Sequence, residues 1–103
     1  MTPSAARPVI TDSSARERYE AHLDGELAGI LEYRLRRGRI ALIHTEVLPF
    51  HEGRGVGSAL VRFALDDARR RELRVIPTCP YVQEYLTRHP EDDIVVGRAR
   101  TNP

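Results

Sequence analysis

Gly53, Gly55 and Gly57 in the run Glu52-Gly53-Arg54-Gly55-Val56-Gly57 stand at alternate positions, and Ser58 follows them. Glycines so spaced let successive backbone N–H groups turn toward one point. Val56, Ala59, Leu60, Phe63, Ala64 and Ala68 come next at the i, i+3, i+4, i+7 spacing of an amphipathic helix. The N-terminus of such a helix carries about half a positive charge, so Gly53, Arg54, Gly55, Val56, Gly57 and Ser58 can hold a phosphate or diphosphate without an ammonium group. That condition matters because the chain has no lysine, all 16 of its cations being arginine. Walker-type nucleotide binding and lysine Schiff-base chemistry are excluded. The other reading of the glycines is a flexible start to the helix. Their G-x-G-x-G spacing also lacks the G-x-G-x-x-G of a dinucleotide site.

Three further positions carry chemistry. His44 and Glu46 are two residues apart in an apolar run, and the period of a strand puts both on one face. An imidazole and a carboxylate so placed can take a proton from one site; the plain alternative is a satisfied core histidine beside an exposed strand glutamate. Cys79 precedes Pro80 at the expected start of a second helix, where the helix dipole lowers a thiol pKa. It is equally a residue type that packs as a small hydrophobe. Tyr81 follows on the same helix, with packing as its alternative. His22, His51 and His89 lack metal-ligand spacing, so no metal site is expected.

The elements that must position these residues can be read in order. Residues 1–15 are small, polar or proline without a period and read as a flexible arm, with a short extended piece around Val9-Ile10. Tyr19, Ala21 and Leu23 alternate with polar residues, and Asp24-Gly25 supplies a tight turn. Leu27, Gly29, Leu31, Tyr33 and Leu35 then share one face of a second strand, with Ala28, Ile30, Glu32 and Arg34 on the other, up to the Arg37-Gly38 turn. A third strand spans Arg39 to Leu48. The helix from the glycine loop reaches about Glu72, Leu73–Ile76 form a short strand, and the second helix runs from Pro80 to Pro90. Ile94-Val95-Val96 is a possible edge strand, inside a domain spanning 16–98, and 99–103 form a tail. The class is α/β (α+β): a mixed, mostly antiparallel sheet in the order β-β-β-α-β-α with two helices.

Composition sets the remaining bounds. At 103 residues the chain has room for one domain. A net charge of +1 gives no electrostatic footprint for nucleic acid. A single cysteine rules out an internal disulfide and points to a reducing compartment. No apolar run approaches the roughly 18 residues of a membrane span, and the first residues lack a signal-peptide core. A cytoplasmic protein without membrane or nucleic-acid partners, a monomer or weak dimer, is the expectation.

At the strand-to-helix junction the chain resembles the GNAT superfamily of N-acetyltransferases, whose diphosphate loop reads Q/R-x-x-G-x-G/A. His44-Thr45-Glu46-Val47 before the loop and Pro77-Thr78-Cys79-Pro80-Tyr81-Val82 after it are similar to the minimal single-domain group called YjdJ-type. The likeness covers about Tyr19 to Pro90. It implies that the third and fourth strands of this reading splay apart, that the pantetheine of acetyl-CoA lies in the gap, and that its diphosphate reaches the glycine loop. Backbone N–H groups near Val47 and Leu48 would stabilise the oxyanion, and Tyr81 would line the channel or return a proton to the CoA thiolate. Acetyl-CoA is then the co-substrate, and acetyl passes to an amine acceptor either directly or through an acyl-Cys79 intermediate, with Glu46 or His44 as base. Glu52 departs from the family's Gln or Arg; it is expected to point outward, with Arg54 compensating. The alternatives are a module that holds acetyl-CoA without turnover and a protein-interaction domain that ignores it.

Overall fold

The computed structural model describes residues 7–92. Seven regular elements follow one another: β1 (Val9–Ser13), β2 (Arg18–Leu23), β3 (Glu26–Arg36), β4 (Arg39–Val47), α1 (Val56–Arg70), β5 (Arg74–Pro77) and α2 (Pro80–Arg88). The five strands form one sheet in the order β1-β2-β3-β4-β5. The first three pairings are antiparallel and β4–β5 is parallel. The expected class, a mixed and mostly antiparallel sheet with two helices, is therefore the one observed.

Two expectations are corrected. The arm expected over residues 1–15 contains β1, which pairs along its whole length with β2, from Val9 opposite His22 to Ser13 opposite Arg18. Strand order accordingly begins one strand earlier. The polar residues that hid it face solvent or make specific bonds: Asp12 accepts a hydrogen bond from the Tyr33 hydroxyl at 2.6 Å. The even alternation expected along β3 is also broken. Ala21 opposes Gly29 but His22 opposes Leu27, so Ala28 is an extra, bulged residue. It is buried, and Leu27 moves to the face it shares with Ile30. The suggested strand at Ile94-Val95-Val96 lies outside the described residues.

Both helices bury one common cluster with the inward residues of the sheet. Val56, Leu60, Val61, Ala64, Leu65 and Ala68 of α1 and Val82, Tyr85 and Leu86 of α2 join Tyr19, Leu31, Tyr33, Ile40, Leu42 and Val75. Each large apolar side chain buried there stabilises the fold by about 1.5–3 kcal/mol. Gly29 marks the tightest contact: a Cβ there would stand 2.8 Å from the Glu46 carbonyl oxygen and 2.9 Å from Val56 Cγ1. The alternate residues Arg18, Glu20, His22, Ile30 and Glu32 form the opposite face of the sheet, and none of them is fully buried.

α1 ends two residues before the expected Glu72, which takes a left-handed backbone (φ 59°) while the Leu73 N–H closes onto the Ala68 carbonyl. Its last turn carries a polar clasp. Asp67, buried, accepts from the Tyr19 hydroxyl at 2.8 Å and from Arg71 at 3.0 Å, and is bonded to Arg70. Arg71 also lies 3.8 Å from Asp12, so the clasp ties β1 to the helix.

Candidate active site

The parallel ladder between β4 and β5 is short. It runs from Arg39 opposite Arg74 to Leu42 opposite Pro77, and the Cys79 N–H then donates to the Leu42 carbonyl at 2.9 Å. β5 ends there because Pro77 is followed by the turn into α2, whereas β4 continues to Val47. The two strands thus part beyond Leu42, where the family resemblance implies a gap.

The exposed edge of β4 in this gap follows from its register with β3. Glu32 opposes His44 but Tyr33 opposes Leu42, so Ile43 has no partner and forms a bulge. One extra residue reverses the alternation. Ile40 and Leu42 are buried under the helices, whereas His44 and Glu46 emerge on the opposite face, more than half exposed, with His44 Nε2 3.7 Å from Glu46 Oε1. Thr45 turns inward, and its Oγ1 lies 3.5 Å from Cys79 Sγ. At the strand end the Leu48 N–H donates to the Ala28 carbonyl at 2.8 Å. Antiparallel pairing then turns the Val47 N–H away from β3 and toward the gap. Of the two oxyanion donors expected, Leu48 is already engaged, and Val47 is the one left facing the gap.

The glycine loop closes the far end. After a 3₁₀ turn at Pro49–His51, Gly53 and Gly55 adopt φ of 80° and 77°, and nothing stands within 4 Å of where their Cβ atoms would be. Both positions need glycine for the backbone angle and leave the concave side open. Gly55 caps α1 without any side-chain hydrogen bond, so the first N–H groups of the helix stay free of a protein side chain. Val47, Glu52, Gly53, Gly55, Val56, Gly57 and Tyr81 line a pocket of about 330 Å³. Gly57 admits the Tyr81 ring, since a Cβ there would lie 2.5 Å from its hydroxyl oxygen.

Three expected site residues sit differently. Glu52, expected to point outward with Arg54 compensating, is exposed and also lines the pocket, while Arg54 instead brings Nη1 to 3.4 Å from His51 Nδ1. Ser58 is on the other side of Tyr81, in a smaller recess with Glu84, Tyr85, Arg88 and His89. Cys79 is only 3% exposed and lines neither pocket. Its thiol is nevertheless held below the ordinary value: burial raises it, and hydrogen bonds from the Thr45 hydroxyl and the backbone of Val82, Tyr81 and Thr45 together outweigh that. Among the described residues no group of three or more His, Cys, Asp and Glu is arranged to hold a metal ion. No described helix is long and apolar enough to cross a membrane.

On the open face, Glu46 contributes to a second pocket of about 170 Å³ with Arg18, Leu27, Gly29, Ile30 and Leu48. Sequence reasoning missed it, because it exists only once the Ala28 bulge has turned Leu27 outward. Gly29 was the available signal: a glycine inside an apolar strand marks close backbone approach. Thr45, as the partner of Cys79, gave none.

The profile of the GCN5-related N-acetyl-transferase family matches residues 18–95. The chain belongs to that family. Protein NATD1 of Xenopus tropicalis is 30% identical over 92 residues, which are 87% of this chain and 84% of that protein. Protein NATD1 of Bos taurus is 30% identical over 91 residues, 85% and 80% of the respective chains. Streptothricin acetyltransferase of Streptomyces lavendulae is 37% identical over 62 residues, 58% of this chain but only 33% of that one. As a GCN5-related domain, the chain carries its glycine loop, the parting of β4 and β5, and Tyr81 around one pocket.

Proposed function

We propose that the chain transfers acetyl from acetyl-CoA to a primary amine by direct attack of the amine on the thioester. What carries this reading is the convergence of Val47, Gly53, Gly55, Gly57 and Tyr81 on one pocket at the end of β4, past the point where β5 leaves it. The residues fit the co-substrate: open glycines with positive φ and an uncapped helix start suit a diphosphate, against one carboxylate, Glu52. Acetyl-CoA supplies an activated acyl carbonyl and an anionic handle.

The protein's part is orientation and proton transfer. Gly53, Gly55 and the first N–H groups of α1 hold the diphosphate, and the Val47 N–H faces the carbonyl oxygen as charge develops on it. An alkylammonium of pKa about 10.4 must lose a proton near pH 7, which costs about 4.6 kcal/mol. Glu46 accepts that proton, directly or through water, with His44 beside it. The new N–C bond then replaces the C–S bond. Of the two protons the ammonium gives up, one goes to Glu46 and one, through the Tyr81 hydroxyl, to the departing sulfur, so CoA leaves as the free thiol. The burial of Cys79 favours this route over an acyl-Cys79 intermediate. Glu52 in the pocket favours, as a second reading, a module that holds acetyl-CoA weakly without turnover.

The test is acetyl-CoA titration followed by a free-thiol assay over a panel of amines, for wild type and Glu46→Gln. Expected are saturable binding, amine-dependent CoA release, and a loss of roughly 10²-fold in kcat at pH 7 for the variant that shrinks as pH rises toward 10. Binding without amine-dependent release establishes the second reading, and no binding removes both.

A further inference from the structure

We infer that the acceptor is a primary amine carried on an apolar stem, without a carboxylate near the amine, and that the stem seats in the open-face pocket beside Glu46. The inference rests on the acetyl-transfer reading and names the substrate class of that same site. The end of β4 and the residue after it face two places in turn: Val47 lines the pocket at the glycine loop, while Glu46 and Leu48 line the pocket on the other face. An amine with its nitrogen at Glu46 therefore has its carbon skeleton over Leu27, Ile30 and Leu48. A closed apolar cavity of about 150 Å³ accommodates benzene, so the open-face pocket, at about 170 Å³, takes a ring or a short alkyl chain.

Charge decides what else the acceptor carries. Arg18 is the one cation lining this pocket, and its Nε is already bonded to Glu20 Oε2 at 2.9 Å. The same oxygen lies 3.7 Å from Arg16, and the Glu20 side chain is only 12% exposed. A substrate carboxylate would find the Arg18 charge already shared with Glu20 and would lie close to Glu46. An α-amino acid is disfavoured by Glu46, which Arg18, paired with Glu20, offsets only in part, whereas the ammonium alone is attracted by Glu46. A polyamine gains nothing from Leu27, Ile30 and Leu48 for its second cation.

The experiment compares kcat/KM for 2-phenylethylamine, phenylalanine, methylamine and spermidine on the full chain with saturating acetyl-CoA. 2-Phenylethylamine is expected to exceed each of the others at least tenfold. Glu20→Gln frees Arg18 and is expected to raise the phenylalanine to 2-phenylethylamine ratio at least fivefold, a change that loss of folding would not produce. Ile30→Asp is expected to lower kcat/KM for 2-phenylethylamine tenfold while the acetyl-CoA Kd stays within twofold, which also reports that the variant is folded. In parallel, methyl resonances of Leu27, Ile30 and Leu48 are followed as 2-phenylethylamine is added to the CoA complex. Turnover with phenylalanine, methylamine or spermidine preferred overturns the inference and leaves acetyl transfer standing. Methyl shifts without turnover of any amine support the pocket assignment and overturn the catalytic reading, and neither shifts nor turnover overturns both.

Discussion

Replacing Glu52 by glutamine removes the one carboxylate that lines the pocket assigned to the diphosphate. Side-chain volume hardly changes, so the perturbation is a charge. At about 6 Å from one phosphate charge, the repulsion is about 0.7 kcal/mol in a water-like dielectric and about 2.8 kcal/mol at an effective value of 20. Glu52 is exposed, which selects the water-like limit. Two phosphate charges then give at most about 1.4 kcal/mol, so Glu52→Gln should bind acetyl-CoA about 3- to 10-fold more tightly at low ionic strength. Screening supplies an internal control. The Debye length falls from about 10 Å at 0.1 M salt to about 3 Å at 1 M, and the advantage of the variant should nearly vanish at the higher concentration. Isothermal titration of both proteins at the two salt concentrations measures this. Tighter binding by the wild type, or an advantage that salt does not reduce, refutes the assignment of the pocket.

Gly57→Ala should leave Tm within a few degrees, because alanine gains up to about 1 kcal/mol in a helix. The new Cβ displaces the Tyr81 hydroxyl, however, and kcat should fall about tenfold, matched by Tyr81→Phe in the same thiol-release assay. Cys79→Ala should keep at least half of wild-type kcat, with a small drop in Tm; a loss beyond about 100-fold would reinstate an acyl-Cys79 route. Tyr19 and Tyr33 are both held above the ordinary phenol value, first by burial and then by hydrogen bonds to Asp67 and Asp12. The unfolded chain releases these protons near pH 10 and the folded chain only later, so stability is fully present below pH 10 and falls above it, by up to about 1.4 kcal/mol per pH unit per tyrosine. Urea unfolding at pH 8 and pH 11 should record that slope, reduced in Tyr33→Phe.

The helices, the three central strands and the glycine loop were legible because each rests on a local signal: a 3.6-residue period, alternation, or glycines where φ must be positive. β1 was not. Its residues Val9–Ser13 include three hydroxyl or carboxyl side chains, and the reason they form a strand is distant: the edge of β2 and the Tyr33–Asp12 bond. Likewise the face on which His44 and Glu46 lie together could be read, but which face it is depends on the unpaired Ile43, and a bulge is decided by the partner strand. The engagement of the Leu48 N–H was hidden for the same reason, since its acceptor, the Ala28 carbonyl, is far along the chain.

Ile43 works as a parity bit. With it, even-numbered residues at the end of β4 face the open side and Thr45 faces the helices. Were Ile43 instead paired with Glu32, with no bulge, the imidazole and the carboxylate would go under α1 and α2 and a hydroxyl would be pushed outward, though every residue remained. Which side of the sheet carries His44 and Glu46 is therefore encoded in the register of one strand against its neighbour, and a slip of one residue in that register would be more damaging than most substitutions there.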